Sequence, residues 1–448
     1  MGVEKRLRDD SRKVGGGDIF FAVPCADGSE KTHALEALGK GVSSVISALP
    51  APEGFEDRWA QVNDVVFTRY LFAKENFGNP FSKLNCHAVT GSNGKTSCAF
   101  MMNEVLRAAG KKTAMLSTVC NLIGDNREDA HLTTPGLLEL YEFAARAVET
   151  GCTELVMEVS SHALVQGRVM GVSYKSALFT NLSHDHLDYH GTMENYYQAK
   201  KLLFISELLG NGTGFINMDN SYGHRLYGEL FFRERVGVSK KQFKTEKTKN
   251  GIRIDNFNVS LFGEHNVENA MLIIEWAREM GLPETALANT LENISVPGRF
   301  EVVYNKNGKR AIVDYAHTPD ALERTLEAAR KICEGNLLLV FGCGGDRDKT
   351  KRPEMGAIAE KMADKIWLTS DNPRTENPEQ ILNDVEAGMA AGKHKRQADR
   401  KKAIKQAVAE LQSGDILVVA GKGHEDYQII GKEKIHFSDR EEILANFS

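Results

Sequence analysis

The sequence predicts an α/β protein of three domains, a small N-terminal block followed by two parallel-sheet blocks. Three observations lead there. A chain of 448 residues exceeds what one hydrophobic core organises. Strand-like apolar runs alternate with helix-like stretches from about residue 84, and the alternation starts again at about residue 298.

In residues 1–83 short strands are predicted at 19–23 and 43–47, with a helix over 31–38 between them and a boundary at Pro80. In residues 84–297 a strand at 86–89 feeds a glycine-containing loop and a helix over 95–109. Strand 113–117, helix 136–149, strands 154–159 and 177–180, and helix 193–209 follow. This βαβα order argues for a mostly parallel sheet with helices on both faces. In residues 298–448 the expected order is strand 311–314, helix 319–332, strand 337–341, helix 354–362, strand 365–369, helix 379–388 and strand 415–420. That reads as a second, smaller, doubly wound (Rossmann-like) domain. The lysine-rich stretch 239–250 is read as a solvated loop.

Composition narrows the function classes. Hydrophobic residues make up 42% and charged residues 26%, as in ordinary globular proteins. A net charge of -5 gives no basic face for nucleic acid. Seven cysteines without a C-x-x-C pair suit a reducing compartment rather than a disulfide or thiolate-metal framework. Residues 1–14 are charged and lack the apolar core of a signal peptide, and no run approaches the ~20 apolar residues of a membrane span. A cytoplasmic monomer is the expectation.

The strand at 86–89 runs into Thr90-Gly91-Ser92-Asn93-Gly94-Lys95-Thr96. Glycines let backbone N–H groups close around phosphate oxygens, and the helix N-terminus adds positive potential. Lys95 would neutralise β- and γ-phosphates and the Thr96 hydroxyl would hold Mg²⁺. Val89 stands where the general phosphate-loop pattern has glycine, so taken alone the segment also fits a plain turn before a helix. An acid must share the metal, and the apolar strand Leu155-Val156-Met157 delivers Glu158 at its carboxyl end. Residues 184–190 carry three histidines and two aspartates, too polar for a core; zinc is the rival reading there, with no cysteine nearby to favour it.

These segments, with Glu158-Val159-Ser160-Ser161-His162, Asp185-His186-Leu187-Asp188-Tyr189-His190-Gly191, Gly263-Glu264-His265-Asn266, Pro297-Gly298-Arg299-Phe300-Glu301 and Val313-Asp314-Tyr315-Ala316-His317-Thr318-Pro319, resemble the Mur ligase family in order and spacing from about residue 10 to the end. The resemblance implies ATP-driven amide-bond formation through an acyl phosphate. It assigns ATP contacts to Gly91, Ser92, Asn93, Gly94, Lys95, Thr96 and Ser97, with Asn266 and Asn269 at the hinge and Arg299 and Asp314 from the third domain. Mg²⁺ is expected on Thr96, Glu158, His186 and Lys200. Lys200 falls where related ligases carry a carbamylated lysine (N6-carboxylysine); from its residues alone it reads as a helix-surface lysine beside Lys201. Lys95, Glu158, His186 and Lys200 form the implied catalytic set.

Within the family, Asp10-Ser11-Arg12 and Gly17-Asp18-Ile19-Phe20-Phe21-Ala22 resemble a uridine-nucleotide-binding domain, shorter here ahead of Asp10 than in related ligases. Ser11, Thr133, Thr134, Ser160, Gln166 and Arg168 are then expected to grip UDP-N-acetylmuramoyl-L-alanyl-D-glutamate. Leu132 replaces a common asparagine. Arg347, Asp371, Asn372, Pro373, Arg374, Gly421 and Glu425 resemble the pocket of the meso-2,6-diaminopimelate branch. Arg374 has a physical reason to be there: a guanidinium pairs bidentately with the second carboxylate that lysine lacks. Asp371-Asn372-Pro373 alone reads as an ordinary turn. The rivals are a folylpolyglutamate-type ligase, opposed by the uridine and Asp371–Arg374 motifs, and a non-catalytic ATP-binding relative, opposed by the intact Lys95, Glu158, His186 and Lys200.

Overall fold

The computed structural model describes residues 6–25, 27–205, 210–248, 251–261, 263–390, 392 and 394–447. Three main sheets succeed one another along the chain. The first is four-stranded and parallel, with Leu7–Arg8, Ile19–Ala22, Ser44–Ser47 and Trp59–Gln61 side by side in chain order. Because side chains alternate across a strand, Phe20 and Val45 pack under the helix Glu30–Gly39, while Phe21 and Ile46 join the core of the central sheet. A second helix here, Val65–Asn76, was not expected. Its apolar residues ring the helix instead of forming one stripe, and Phe67, Leu71 and Phe72 stay exposed, so periodicity did not reveal it.

The central sheet has eight strands, in the order Arg235–Val238, Thr213–Asn217, Tyr174–Phe179, Asn85–Thr90, Glu154–Glu158, Thr113–Leu116, Cys120–Ile123 and Asn126–Asp129. The first six are parallel; the last two fold back antiparallel, an extension outside the expectation of alternating strands and helices. The strand before the phosphate loop lies at the middle of the sheet. Val89, Val156 and Leu178 point to one face and Ala88, Met157 and Ala177 to the other, so both faces are dry and helix-covered. The helix expected over 193–209 spans Met193–Ile205, and residues 206–209 lie outside the described residues.

The lysine-rich stretch is not a loop as expected. A 3₁₀ turn, Lys240–Gln242, is closed by a Ser239/Gln242 capping box, and Thr245–Thr248 is an exposed edge strand paired with Gly251–Ile254; residues 249–250 are outside the described set. Lysine-rich composition suits an edge strand as well as a loop, because charge on an edge blocks further pairing.

The third sheet runs Glu301–Lys306, Lys309–Asp314, Ile416–Ala420, Leu337–Phe341, Lys365–Leu368 and His394–Arg396, with only the first strand antiparallel. The late strand Ile416–Ala420 inserts between two earlier ones. That creates a switch point, and a crevice opens beyond the carboxyl ends Asp314, Phe341 and Ala420. Among the described residues no helix is long and apolar enough to cross a membrane.

Candidate active site

Gly91 and Gly94 hold the loop in its tight path. Gly91 has φ 149° and a Cβ there would stand 1.9 Å from Thr180 Oγ1; Gly94 has φ 86° and its Cβ would stand 2.4 Å from Asn269 Oδ1. The loop is pinned from behind, where the Ser92 and Asn93 amides donate to the Asn181 carbonyl (2.9 Å) and Asn181 Oδ1 (3.0 Å). The helix Lys95–Ala108 starts without any side-chain cap, so its first amides are open toward the loop. Lys95 Nζ donates to the carbonyls of Gly91 (2.8 Å) and Ser92 (2.9 Å), folded back onto the loop it is expected to complete around phosphate. Ser97 is buried just behind.

Facing the loop, Glu158 is fully buried at its strand tip, and Thr118 donates to both of its oxygens, through N–H (2.7 Å) and hydroxyl (3.1 Å). Thr118 was not singled out from the sequence; only its place just after the strand Thr113–Leu116, at the same sheet end as Glu158, could have marked it. Lys200 overturns its surface reading. It is 1% exposed, donates to the Gly91 carbonyl (2.8 Å) and lies 4.7 Å from the Tyr196 ring centroid. Burial, aided by Lys95, drives its amine well below the usual lysine range.

His186 sits at φ 53° with Asp185 Oδ2 3.4 Å from Nε2, and loss of solvent holds it down to about 4, so the ring is neutral with a lone pair to offer. Among the described residues no three His, Cys, Asp or Glu side chains cluster as a metal cage. The donor set fits Mg²⁺ of the kind that is bound by one or two protein oxygens together with phosphate and water. An unmodified Lys200 does not fit as a ligand; a carbamate at that amine would.

The third sheet reaches into the site. Arg299 donates to Thr96 Oγ1 (3.3 Å) and stacks 4.4 Å over Tyr315, and Asn93 Nδ2 donates to Asp320 (3.1 Å). Asp314 accepts from Phe300 N (2.6 Å), Ala316 N (2.9 Å) and Thr325 Oγ1 (2.9 Å), so it holds the Arg299 segment in place rather than pointing at the loop. Asn266 is buried beside Asn269, which packs on Gly94.

Beside Glu158, Thr134 Oγ1 donates to the Glu158 carbonyl (2.9 Å) and accepts from Ser160 N (3.0 Å), and Thr133 Oγ1 meets Thr118 Oγ1 at 3.0 Å. Arg168 reaches the Thr134 carbonyl (3.0 Å) and Gln166 Oε1 (2.9 Å). The structure therefore brings five of the expected substrate residues together. Ser11 lies in the 3₁₀ turn Ser11–Lys13 that follows the first strand, where its hydroxyl donates to Glu36 (2.8 Å).

In the crevice of the third sheet, Asp371, Asn372 and Pro373 are buried and Arg374, at φ 51°, donates to the Gly345 carbonyl (2.7 Å). Asn372 Nδ2 donates to Glu425 Oε2 (2.8 Å), and Gly421, at φ 117°, lies against Asp371. Arg347 is exposed and donates to the Asp346 carbonyl (3.4 Å), and its side chain flanks Gly344 together with Arg374 and the Asn372 carbonyl. Lys422, unnoticed in the sequence, is wholly buried among these residues. A lysine between two glycines just past an apolar strand, as in Gly94-Lys95, was the available signal.

Comparison with known proteins agrees with this layout. Residues 89–277 match the Mur ligase middle domain and residues 298–423 the Mur ligase, glutamate ligase domain. UDP-N-acetylmuramoyl-L-alanyl-D-glutamate--2,6-diaminopimelate ligase of Synechococcus elongatus is 42% identical over 97% of this chain and 92% of its own. The Clostridium tetani protein of that name is 38% identical, covering 98% and 94%. A solved structure of a ligase with this name superposes with TM-score 0.68 at 32% identity, covering 98% of this chain and 94% of that one. The MurF ligase of Thermotoga maritima in complex with ADP shares the fold, with TM-score 0.63 at 18% identity over 99% and 97% of the two chains. With both domains matched and relatives this similar along nearly its whole length, the chain belongs to the Mur ligase family.

Proposed function

We propose that this protein is an ATP-dependent amide ligase that joins meso-2,6-diaminopimelate to the D-glutamate carboxylate of UDP-N-acetylmuramoyl-L-alanyl-D-glutamate, in cytoplasmic peptidoglycan precursor synthesis. The observation that carries this is the convergence of Lys95, Glu158 and a buried Lys200 on one loop, in a chain 36–42% identical to ligases of that name. Residues 1–83, 84–297 and 298–448 are taken as the uridine-nucleotide, ATP and amino-acid domains. An open cleft of about 340 Å³ lined by Arg6, Arg8, Lys13 and Asp18, next to the Ser11 turn, offers cations to a diphosphate, for which Arg8 would exchange Asp18 and Lys13 would exchange Glu139.

Lys95 exchanges its two loop carbonyls for phosphate oxygens, and the uncapped helix start presents amides to the same charge. Mg²⁺, when bound, neutralises phosphate charge, with Thr96, Glu158, His186 and carbamylated Lys200 as the residues that would hold it. The depressed basicity of Lys200 supplies the uncharged amine that carbamylation needs: nitrogen bonds to CO₂ carbon, a C=O electron pair moves to oxygen, and a proton leaves. Thr134, Ser160 and Arg168 orient the acceptor carboxylate beside Glu158. Arg374, Asp371 and Glu425 orient the amine that attacks the acyl phosphate, which then releases phosphate.

Phosphate release should be measured with the muramoyl dipeptide and a panel of diaminopimelate, lysine and ornithine, with folate plus glutamate as control. Release dependent on the dipeptide and fastest with diaminopimelate is expected. Equal rates with lysine overturn the amine assignment, and turnover with folate overturns the acceptor.

A further inference from the structure

Lys422 is 0% exposed, at the centre of the amine pocket proposed above. Its three N–H donors meet Glu425 Oε2 (3.1 Å), Asn372 Oδ1 (3.1 Å) and, more weakly, Asp371 Oδ1 (3.5 Å), and the Tyr427 ring centroid lies 5.5 Å away. A buried ammonium is costly unless paired in this way. Its donors are saturated by the pocket wall, so it has none to give to a ligand. Instead it leaves the ligand two free acceptors: among the described residues, neither Glu425 Oε1 nor Asp371 Oδ2 receives a hydrogen bond.

We propose that Lys422 is a positioning and charge-setting residue: it fixes Glu425 and Asn372 and cancels one of the pocket's two carboxylates, so that the pocket selects an amine whose cations are balanced by its own carboxylates. This rests on the reading of Asp371, Arg374 and Glu425 as the amine pocket. The four buried or half-buried side chains Asp371, Glu425, Lys422 and Arg374 carry no net charge between them, matching diaminopimelate, which carries two ammonium and two carboxylate groups. Lysine brings an unbalanced positive charge. Without Lys422 these side chains turn net negative wherever Glu425 stays ionised, toward the alkaline end of the pH range, and the bias against lysine weakens there.

Burial already raises Glu425, and Lys422 opposes that rise. The other charged and titratable groups facing Glu425 are Asp371, Arg400, Tyr315 and Tyr427, with Arg374 acting on Tyr427. Removing the lysine lets Glu425 take up a proton nearer neutral pH and lose its grip on an ammonium.

The test compares wild type, Lys422→Met, Glu425→Gln and the double variant in the full chain. KM for diaminopimelate and for lysine is measured from pH 6 to 8, with KM for ATP and thermal stability as folding controls. Lys422→Met should raise KM for diaminopimelate at least ~10-fold, lower the diaminopimelate-to-lysine preference by a similar factor and leave KM for ATP within about twofold. Its KM for diaminopimelate should climb as pH falls, where wild type stays flat. The double variant, with its charge rebalanced, should regain stability and lose that slope. A flat Lys422→Met profile, or equal losses for both amines, overturns the inference alone if Glu425→Gln still raises KM for diaminopimelate. If Glu425→Gln also changes nothing, the pocket reading falls and takes this inference with it.

Discussion

At the residue scale, Lys200 and Arg374 show how one side chain takes its meaning from its surroundings. Lys200 is surrounded by protein, so an ordinary ammonium there would face Lys95 with little water to screen it. Lys200→Ala should cut phosphate release by ~100-fold or more while ADP affinity changes little, and Lys200→Arg should not restore it, because a guanidinium cannot carry a carboxyl group. A stopped assay together with ADP binding by calorimetry checks both. Arg374 is held by its left-handed backbone and by the Gly345 carbonyl, with the rest of its fork free to pair. Arg374→Ala should lower kcat/KM for diaminopimelate by ~10–100-fold, the worth of a charge-assisted bidentate pair, with KM for ATP unchanged. An equal loss with lysine would show that Arg374 does not read the second carboxylate. In the sequence the two differ in legibility. Arg374 carries its chemistry in its side chain, whereas the role of Lys200 depends on burial that a helix beside Lys201 gave no sign of.

At the element scale, the loop and its helix are locked to the helix Glu264–Glu279 through Gly94 and Asn269. Gly94→Ala adds a Cβ 2.4 Å from Asn269 Oδ1 at a φ of 86° that alanine resists. Strain of ~1–3 kcal/mol is expected, together with a loss of nucleotide affinity. Adding Asn269→Ala removes the clash but not the φ penalty, so thermal stability should recover only in part; full recovery would mean the backbone conformation costs nothing. The strand–loop–helix unit was legible because a short apolar run ending in Ala88-Val89, the glycines and a helix start follow in a fixed order. The helix Val65–Asn76 and the antiparallel strands Cys120–Ile123 and Asn126–Asp129 were not. The strand Asn126–Asp129 reads Asn-Arg-Glu-Asp, with no apolar alternation, and exists through pairing with its neighbour. The carboxyl ends of the parallel strands, where Glu158, Asp371 and Gly421 lie, followed from the α/β pattern itself.

At the scale of the whole molecule, the contacts of Arg299 with Thr96 and Asn93 with Asp320 bind the third sheet to the loop, and His424 lies at the same junction, its ring 5.2 Å from that of Tyr315, over which Arg299 stacks. Arg299 and Thr96 were expected at one ATP site, but the Asn93–Asp320 contact was not readable from motif order, because it joins residues 227 positions apart in a geometry set only by packing. The junction carries a pH signature. Burial holds both His190 and His424 down to about 4, and lowers the buried His87 as well. In the unfolded chain a histidine takes up its proton near 6.5. Between about 6.5 and about 4 the unfolded state therefore binds protons that the folded state refuses. The stability these rings contribute is fully present above 6.5 and is lost as pH falls toward about 4. The His190 and His424 rings are each worth on the order of 1–3 kcal/mol over that interval; His186, near half exposed, adds less. Glu194 and Glu229, held at about 2 by Arg225 and Lys201 contacts, act only from about 4.5 downward. Thermal melts should thus show the midpoint falling by several degrees between pH 6.5 and 4.5, before the carboxylates matter. His190→Gln, which keeps a polar partner for Ser161, should flatten part of that slope. A midpoint that stays level to pH 4.5 and drops only below it would assign the acid sensitivity to the carboxylates instead, and would leave the histidines of the junction and of the 184–190 segment without a linked proton.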